Sequence, residues 1–332
     1  MNHEAQGSRR IEPLVCTFLL SDSEPLCIIA RRGKRLLRHG RAGRGAPAAA
    51  ETVEPIVEHE ARLENGLESR LVVPEDLAFL AGHFDGFPVV AGVVQVHWIL
   101  RAAASWLGRP LHPRTFEGLK FKDVLRPGQR FRMSLETGPA RSWLRFRLGG
   151  GERVFCTGRC RFGPAETAAG AGAGISLTPD GTFPAVADLV PQSGRMLLLD
   201  RVLAHDAERT VCLVKVDASD LFRDRDGGVP AWVGLEYMAQ CIAAHGGLRE
   251  RQRGGIVKPG LFLGTRRLEL WTAGFAPGEV LRASARHVRG KGRFLTFACA
   301  LRREEDAGVL AEGELNVYIL DEPKAMGDQA IS

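Results

Sequence analysis

The segment Gly82 to Trp98 reads GHFDGFPVVAGVVQVHW. His83 stands just ahead of a Gly/Pro-rich turn, Asp85 to Pro88, which feeds Gly92 at the start of an apolar helical run. An imidazole is the side chain that changes charge near neutral pH. A helix N-terminus offers unpaired backbone N–H groups and a partial positive charge. Glycine there lets a ligand come close to that backbone. Together these features put a proton acceptor beside a place for a developing oxyanion. Spacing alone also fits a plainer reading, a histidine that holds the turn.

The elements that must position this chemistry recur twice. GVVQVHWILRAAASWLG (Gly92 to Gly108) and WVGLEYMAQCIAAHGGLRE (Trp232 to Glu250) are apolar around most of a helical circumference. That pattern predicts helices enclosed on nearly all sides. Each is followed by a Pro-Gly turn that opens a run of strands, at Pro127-Gly128 and Pro277-Gly278. Phe131, Met133 and Leu135 alternate with polar residues, as do Leu144, Phe146 and Leu148, and Leu315, Val317 and Ile319. Such alternation belongs to antiparallel sheets with one buried face. The simplest architecture is α+β: two antiparallel sheets, each wrapped around a buried helix. Two such units can pair sheet edge to sheet edge, which also covers exposed edges.

Composition bounds the rest. The chain has 332 residues, 45% of them hydrophobic and 25% charged, enough for two domains. No stretch approaches the ~20 apolar residues of a membrane helix. The net charge is +6, but residues 1–50 carry nine Lys/Arg against four Asp/Glu. The folded body is therefore close to neutral, which argues against nucleic acid as a partner. The run Arg31 to Gly45, RRGKRLLRHGRAGRG, reads as a disordered basic arm. It is an electrostatic arm for an acidic partner, a solvated tail, or an extension from a misplaced start. PAETAAGAGAGISLTPDGT (Pro164 to Thr182) reads as a linker. The expected domains are an arm at 1–50, a first unit at 51–163, the linker at 164–182 and a second unit at 183–325. Seven cysteines, with Cys156 and Cys160 four apart on one strand and no zinc-type pattern, predict a reduced cytoplasmic protein with no structural metal.

HFDGFPVVAGV resembles the H-F-P-G-x-P-x-x-P-G-V signature of the hotdog-fold 3-hydroxyacyl-[acyl carrier protein] dehydratases of fatty acid synthesis. In that family the His is the catalytic base, and an acid fourteen positions later, contributed by the paired hotdog, is the second catalytic group. Fourteen residues after His83 stands His97. In the second half VPAWVGLEYMAQ resembles the family's P-G-V-L-I-I-E-A-L-A-Q, which puts Glu236 at the acid position and Gln240 at the family's Gln. Fourteen residues before Glu236 stands Phe222. PQSGRMLLLDRV (Pro191 to Val202) resembles the family's opening strand. Each half thus lacks what the other keeps, and the resemblance implies one composite site, His83 facing Glu236. The opposite pair, His97 and Phe222, is expected to be dead, with His97 a hydrogen-bonded core histidine. The motif order, with LFLGTRRLEL at Leu261 to Leu270, is similar to the paired dehydratases of bacterial aryl polyene clusters, joined here in one chain as a double hotdog. Asp85 and Ala91 replace family prolines, which predicts a looser turn around His83.

The resemblance implies water elimination from a 3-hydroxyacyl thioester carried on the phosphopantetheine of acyl carrier protein, with no metal and no other cofactor. His83 would take the α proton and the Gly92 N–H would hold the enolate oxygen. Glu236, kept protonated by burial, would protonate the leaving hydroxyl, and Gln240 would position the substrate. Acyl carrier protein is then the expected partner, docked by exposed arginines such as Arg114, Arg266 or Arg267. The internal pseudo-dimer leaves further homodimerisation open. His245 is expected on a helix face, Tyr237 and Met238 in packing, and Cys241 buried and inert. Two other readings stay open: a hotdog acyl thioesterase using Glu236, and a non-catalytic subunit that binds acyl carrier protein.

Overall fold

Two long helices carry almost no polar stripe, and both are enclosed. Helix α1 (Gly92–Leu107) buries ten residues, among them Val94, Val96, Trp98 and Ile99. Helix α2 (Gly234–Gln252) buries twelve and follows a short 3₁₀ turn at Ala231–Val233. The computed structural model describes residues 51–84, 86–164, 182–217, 221–224 and 227–320. The basic arm (1–50), Asp85, nearly all of the Ala/Gly linker, and 321–325 of the expected second domain lie outside the described residues.

The first half supplies β1 (Ile56–Leu63), β2 (Gly66–Val72), β3 (Pro113–Phe121), β4 (Arg130–Glu136), β5 (Trp143–Gly150) and β6 (Arg153–Phe162). The second supplies β7 (Arg201–His205), β8 (Arg209–Lys215), β9 (Val229–Pro230), β10 (Gly260–Leu270), β11 (Gly274–Phe275), β12 (Val280–Lys291), β13 (Phe294–Arg303) and β14 (Val309–Ile319). Twelve strands form one antiparallel sheet in the order β1-β2-β4-β5-β6-β3-β10-β14-β13-β12-β8-β7, and β9 pairs with β11 beside it. Alternation decides which face is wet. In β4, Phe131, Met133 and Leu135 are buried while Arg130 and Arg132 are exposed. In β5, Leu144, Phe146 and Leu148 are buried while Arg145 and Arg147 are exposed. The buried faces close on the helices: α1 lies against β4, and α2 against β8, β12 and β13.

The fold is a double hotdog, and its two halves meet through β3 and β10. Their ladder pairs Thr115 with Glu269, Phe116 with Leu268, and Leu119 with Thr265. Phe116, Leu119 and Leu268 are fully buried, so the seam is core on its inner face. The resulting sheet has no free edge at its centre, where two unpaired strands would otherwise face each other.

One expected strand is absent. Pro191 to Val202 does not run extended: a 3₁₀ turn occupies Gly194–Met196, and β7 begins only at Arg201. Gly194 sits at φ 52°, which breaks the extended run. The Gln240 side chain then does what a neighbouring strand would do. Its Oε1 accepts from the Leu198 N–H at 2.9 Å, and its Nε2 donates to the Met196 carbonyl at 2.7 Å.

Truncating the seam should open a cavity in a shared core. Phe116→Ala is expected to destabilise the protein by about 3–5 kcal/mol, read from urea unfolding. A loss below about 1 kcal/mol would mean that the seam is not part of one cooperative core.

Candidate active site

The His83 turn is built by close crossing of two backbones. Gly82 has φ 85°, and a Cβ there would lie 2.0 Å from the Ser193 carbonyl oxygen. Glycine admits the crossing: the Ser193 N–H donates to the Gly82 carbonyl at 2.9 Å, and His83 pairs with Gln192 in an isolated antiparallel bridge. Phe84 holds a left-handed φ of 61°, and its ring stacks on the His83 imidazole at 4.3 Å. Such backbone costs energy and persists where surrounding contacts enforce it. Ala91, where the resembled family has proline, sits at φ −56°, a value that proline itself would impose. The buried Ala91 ends the turn in that geometry without the ring.

His83 is buried, and its Nδ1 lies 3.0 Å from the Val89 carbonyl. A carbonyl only accepts, so Nδ1 carries the proton and Nε2 is left as a basic lone pair. Burial pushes the imidazole pKa down to about 4, against a weaker opposing pull from the Val89 carbonyl. His83 is therefore neutral at pH 7 and remains so well into the acid range.

Glu236 stands in the first turn of α2, also buried. Its Oε1 accepts from Gln240 Nε2 at 2.9 Å and from Gln192 Nε2 at 3.3 Å. Burial raises its pKa, outweighing the two amide donors that lower it. With both donors on Oε1, the proton of the neutral acid belongs on Oε2. One cavity is lined by His83 and Gly92 from the first hotdog and by Glu236 and Gln192 from the second. The expected composite arrangement, imidazole from one half and carboxyl from the other, is thus brought together in space.

Gly92 is placed as expected, but its lack of a side chain serves a different contact. A Cβ there would meet the Phe121 ring at 2.8 Å, so the close approach is made by Phe121. Ala91, the residue ahead of α1, gives no side-chain cap; its carbonyl takes the Val94 N–H at 3.1 Å, and the Gly92 and Val93 N–H groups have no backbone partner among the described residues. Gln240 lies away from the cavity lining; it holds Glu236 and the Met196–Leu198 loop instead of a substrate. The cavity also has an apolar wall, with Phe121 and Phe262 rings 5.4 Å apart.

The opposite pair is filled with rings. His97 lies 5.7 Å from Phe222, 6.3 Å from Phe79 and 6.1 Å from Trp232, centroid to centroid. All four are buried. Contrary to expectation His97 is not a hydrogen-bonded core histidine through Nδ1, which has no partner among the described residues. Burial drives its pKa to about 3, so it stays neutral in an aromatic nest.

Three residues missed by sequence reasoning complete the site. Gln192 touches both halves but sits in the segment that reads as a strand. Gln95, one turn into α1, lines the cavity with its Oε1 unpartnered. Lys258, exposed, lines the cavity, whereas Arg114, Arg266 and Arg267 do not. Arg114 is only half-exposed, and Arg267 pairs with Glu269 at 2.6 Å. His245 is buried, not set on an open helix face, with Nδ1 2.9 Å from the Thr210 hydroxyl. Tyr237 and Met238 are packed, and burial pushes the Cys241 thiol well up, which removes nucleophilic character. Cys156 and Cys160 share β6 as buried free thiols. Among the described residues no group of three or more His, Cys, Asp or Glu is placed to hold a metal ion, and no helix is long and apolar enough to cross a membrane.

The His83 imidazole should report its burial directly. NMR titration is expected to place its protonation near pH 4, with the Nδ1-H tautomer persisting above that. A midpoint near the ordinary 6.5 would mean that the ring is solvated and the cavity description is wrong.

Comparison with known proteins gives the two halves different relatives. The ApeI-like family profile, described as ApeI dehydratase, matches residues 59–159. The ApeP-like profile, described as ApeP dehydratase, matches residues 184–328. No curated protein matches the chain in sequence. Among solved structures, the dehydratase heterocomplex ApeI:P from Xenorhabdus doucetiae is 26% identical over 42% of this chain and 94% of that one, with a TM-score of 0.40. The dehydratase domain of the CurJ module of curacin polyketide synthase is 14% identical, covering 82% of this chain and 99% of that one, at a TM-score of 0.61. The dehydratase domain of PpsC from Mycobacterium tuberculosis is 16% identical, covering 81% and 99%, at 0.58. The latter two likenesses carry the double-hotdog fold across most of the chain.

Proposed function

We propose, on the premise that this chain joins an ApeI-like dehydratase domain to an ApeP-like one, that it eliminates water from 3-hydroxyacyl thioesters presented by an acyl carrier protein. The observation that carries this reading is the single cavity lined by His83 from one hotdog and Glu236 from the other, with pKa values displaced in opposite directions. Nothing in the reaction calls for a metal or an organic cofactor.

His83 Nε2 removes the proton from C2 of the acyl chain. The electron pair moves toward the thioester oxygen, where the Gly92 N–H at the start of α1 lowers the energy of the developing enolate. The pair then returns to form the C2–C3 double bond as the C3–O bond breaks. Glu236 Oε2–H protonates the departing hydroxyl, which leaves as water. The cycle ends with His83 protonated and Glu236 ionised, and proton exchange restores both. Burial opposes both charged forms, so each group returns to its working state. Gln240 serves as a positioning residue, because it fixes the Glu236 carboxyl and not the substrate.

The apolar wall at Phe121 and Phe262 suits an unsaturated or aromatic acyl chain. Lys258 at the exposed rim complements the acidic surface expected of a carrier protein. The aromatic nest around His97 and Phe222 leaves one working site per chain.

Purified protein given a 3-hydroxyacyl carrier thioester should generate the 2-enoyl absorbance. Release of free thiol would identify a thioesterase instead, and binding without turnover would identify a carrier-binding subunit. His83→Ala and Glu236→Gln should each lower kcat by roughly 10²–10⁴-fold, while His97→Ala retains most activity. Equal loss from His97→Ala would show that the second pair works too. The acid limb of kcat/KM should fall well below pH 6.5, because the free enzyme's base is held neutral down to about pH 4.

A further inference from the structure

Gln192 touches both halves of the site. Its backbone bridges His83, and its side-chain Nε2 lies 3.3 Å from Glu236 Oε1. It is 7% exposed and lines the cavity. An amide is planar and rigid, so committing Nε2 to Glu236 fixes where Oε1 points. That oxygen is buried and has no hydrogen-bond partner among the described residues. A buried amide oxygen left unpaired is costly, and its presence in a cavity marks a place for a donor. Gln95 has an unpaired oxygen as well, but its amide is tied to the Val90 carbonyl and to neither reacting group.

We infer that Gln192 recognises the leaving group: its Oε1 accepts a hydrogen bond from the substrate's 3-hydroxyl, and its Nε2 holds the carboxyl that protonates that hydroxyl. The inference rests on the dehydratase reading and deepens it. The missing partner must be a donor, and beside Glu236 the thioester and the hydrocarbon chain offer none. The 3-hydroxyl has one O–H to give. Giving it to Gln192 turns the oxygen's lone pairs elsewhere, toward Glu236 Oε2–H. One amide thereby aligns the donor and the acceptor of the same proton transfer. When the C3–O bond breaks, the hydroxyl keeps its own hydrogen, gains one from Glu236 and departs as water. The product has no group for Oε1, which favours release of the enoyl thioester over retention.

The test compares two inert ligands, a 3-hydroxyacyl pantetheine amide and the saturated acyl pantetheine amide of equal length. The amide in place of the thioester keeps the C2 proton from being removed. Wild-type protein should prefer the hydroxylated ligand by up to about tenfold, the scale of one neutral hydrogen bond. Gln192→Met, of similar length and without polar atoms, should bind both ligands equally and keep wild-type affinity for the saturated one. Its alkaline limb of kcat/KM should move to higher pH, because an N–H donor that favours ionised Glu236 is gone. A merely structural role would weaken both ligands together and leave the limb in place, which would overturn the inference. So would a Gln192→Met variant that keeps the preference. If Gln192→Met does not melt cooperatively, Gln192→Glu retains an acceptor of the same length and should retain the preference; its loss there would overturn the inference. Wild-type protein that produces no enoyl thioester overturns the functional reading itself and this inference with it. Active wild type with no hydroxyl preference overturns the inference alone.

Discussion

The antiparallel ladder between β3 and β10 is the constraint on which the rest depends. Each half alone is a sheet curled around a helix with one raw edge, and each holds one of the two buried titratable groups that line the cavity, His83 and Glu236. Joining the edges satisfies the unpaired N–H and C=O groups of both strands. The first turns of α1 and α2 both reach one cavity, so that groups from each half line it. The crossing of Gly82–His83 with Gln192–Ser193 then locks the alignment locally. A site made this way is only as well placed as the seam, because no single half contains it.

Pairing two similar units through one edge of each creates two corresponding places. The chain treats them differently. One is open and polar, with four buried polar side chains at its wall: His83, Gln95, Gln192 and Glu236. The other is closed by Phe79, Phe222 and Trp232 around His97. Buried aromatic surface stabilises by roughly 25 cal/mol per Å² removed from water. A buried polar wall carries desolvation that its own hydrogen bonds only partly offset. Filling one place with rings therefore supports the fold while the other keeps its unpaired atoms for a ligand. This division requires two non-identical halves, which a single chain with two different hotdogs supplies.

Local pattern made much of this legible in the sequence. The enclosed helices follow from apolar residues around the whole circumference, and β4, β5 and β14 follow from strict alternation. His83 and Glu236 were marked by motif resemblance, and both stand in the cavity. The seam strand β3 was not legible: PRTFEGLKF lacks clean alternation, and its pairing with β6 shifts register between Glu117 and Lys120. Gln192 was hidden because PQSGRMLLLDRV has the composition of a strand, and its irregular path is held by distant segments, the Gln240 side chain and the Gly82–His83 backbone. The reason for glycine at position 92 was equally out of reach, since it depends on a ring from β3. The unpaired Nδ1 of His97 is a property of what surrounds it, and no spacing rule reports that. In each case the missing information is a contact between segments far apart in the chain.

The proposed elimination needs both a base and an acid at neutral pH, and ordinary side chains offer the wrong states: an unperturbed imidazole is partly charged and an unperturbed carboxyl is ionised. Here one cause corrects both. Desolvation disfavours charge irrespective of sign, so the same enclosed cavity lowers the His83 pKa and raises that of Glu236. No counter-ion has to be arranged, and adding one would spoil the balance, because a neighbouring charge moves acid and base in the same direction. The polar contacts at the site are neutral amides and carbonyls: Val89 on His83, Gln192 and Gln240 on Glu236. Such partners orient the two groups while leaving burial as the larger influence on each. The Val89 carbonyl on His83 and the two amides on Glu236 favour the charged forms and so compete with burial. The amide donors on Glu236 strengthen the carboxylate side of that competition, so their number must stay small enough for burial to prevail.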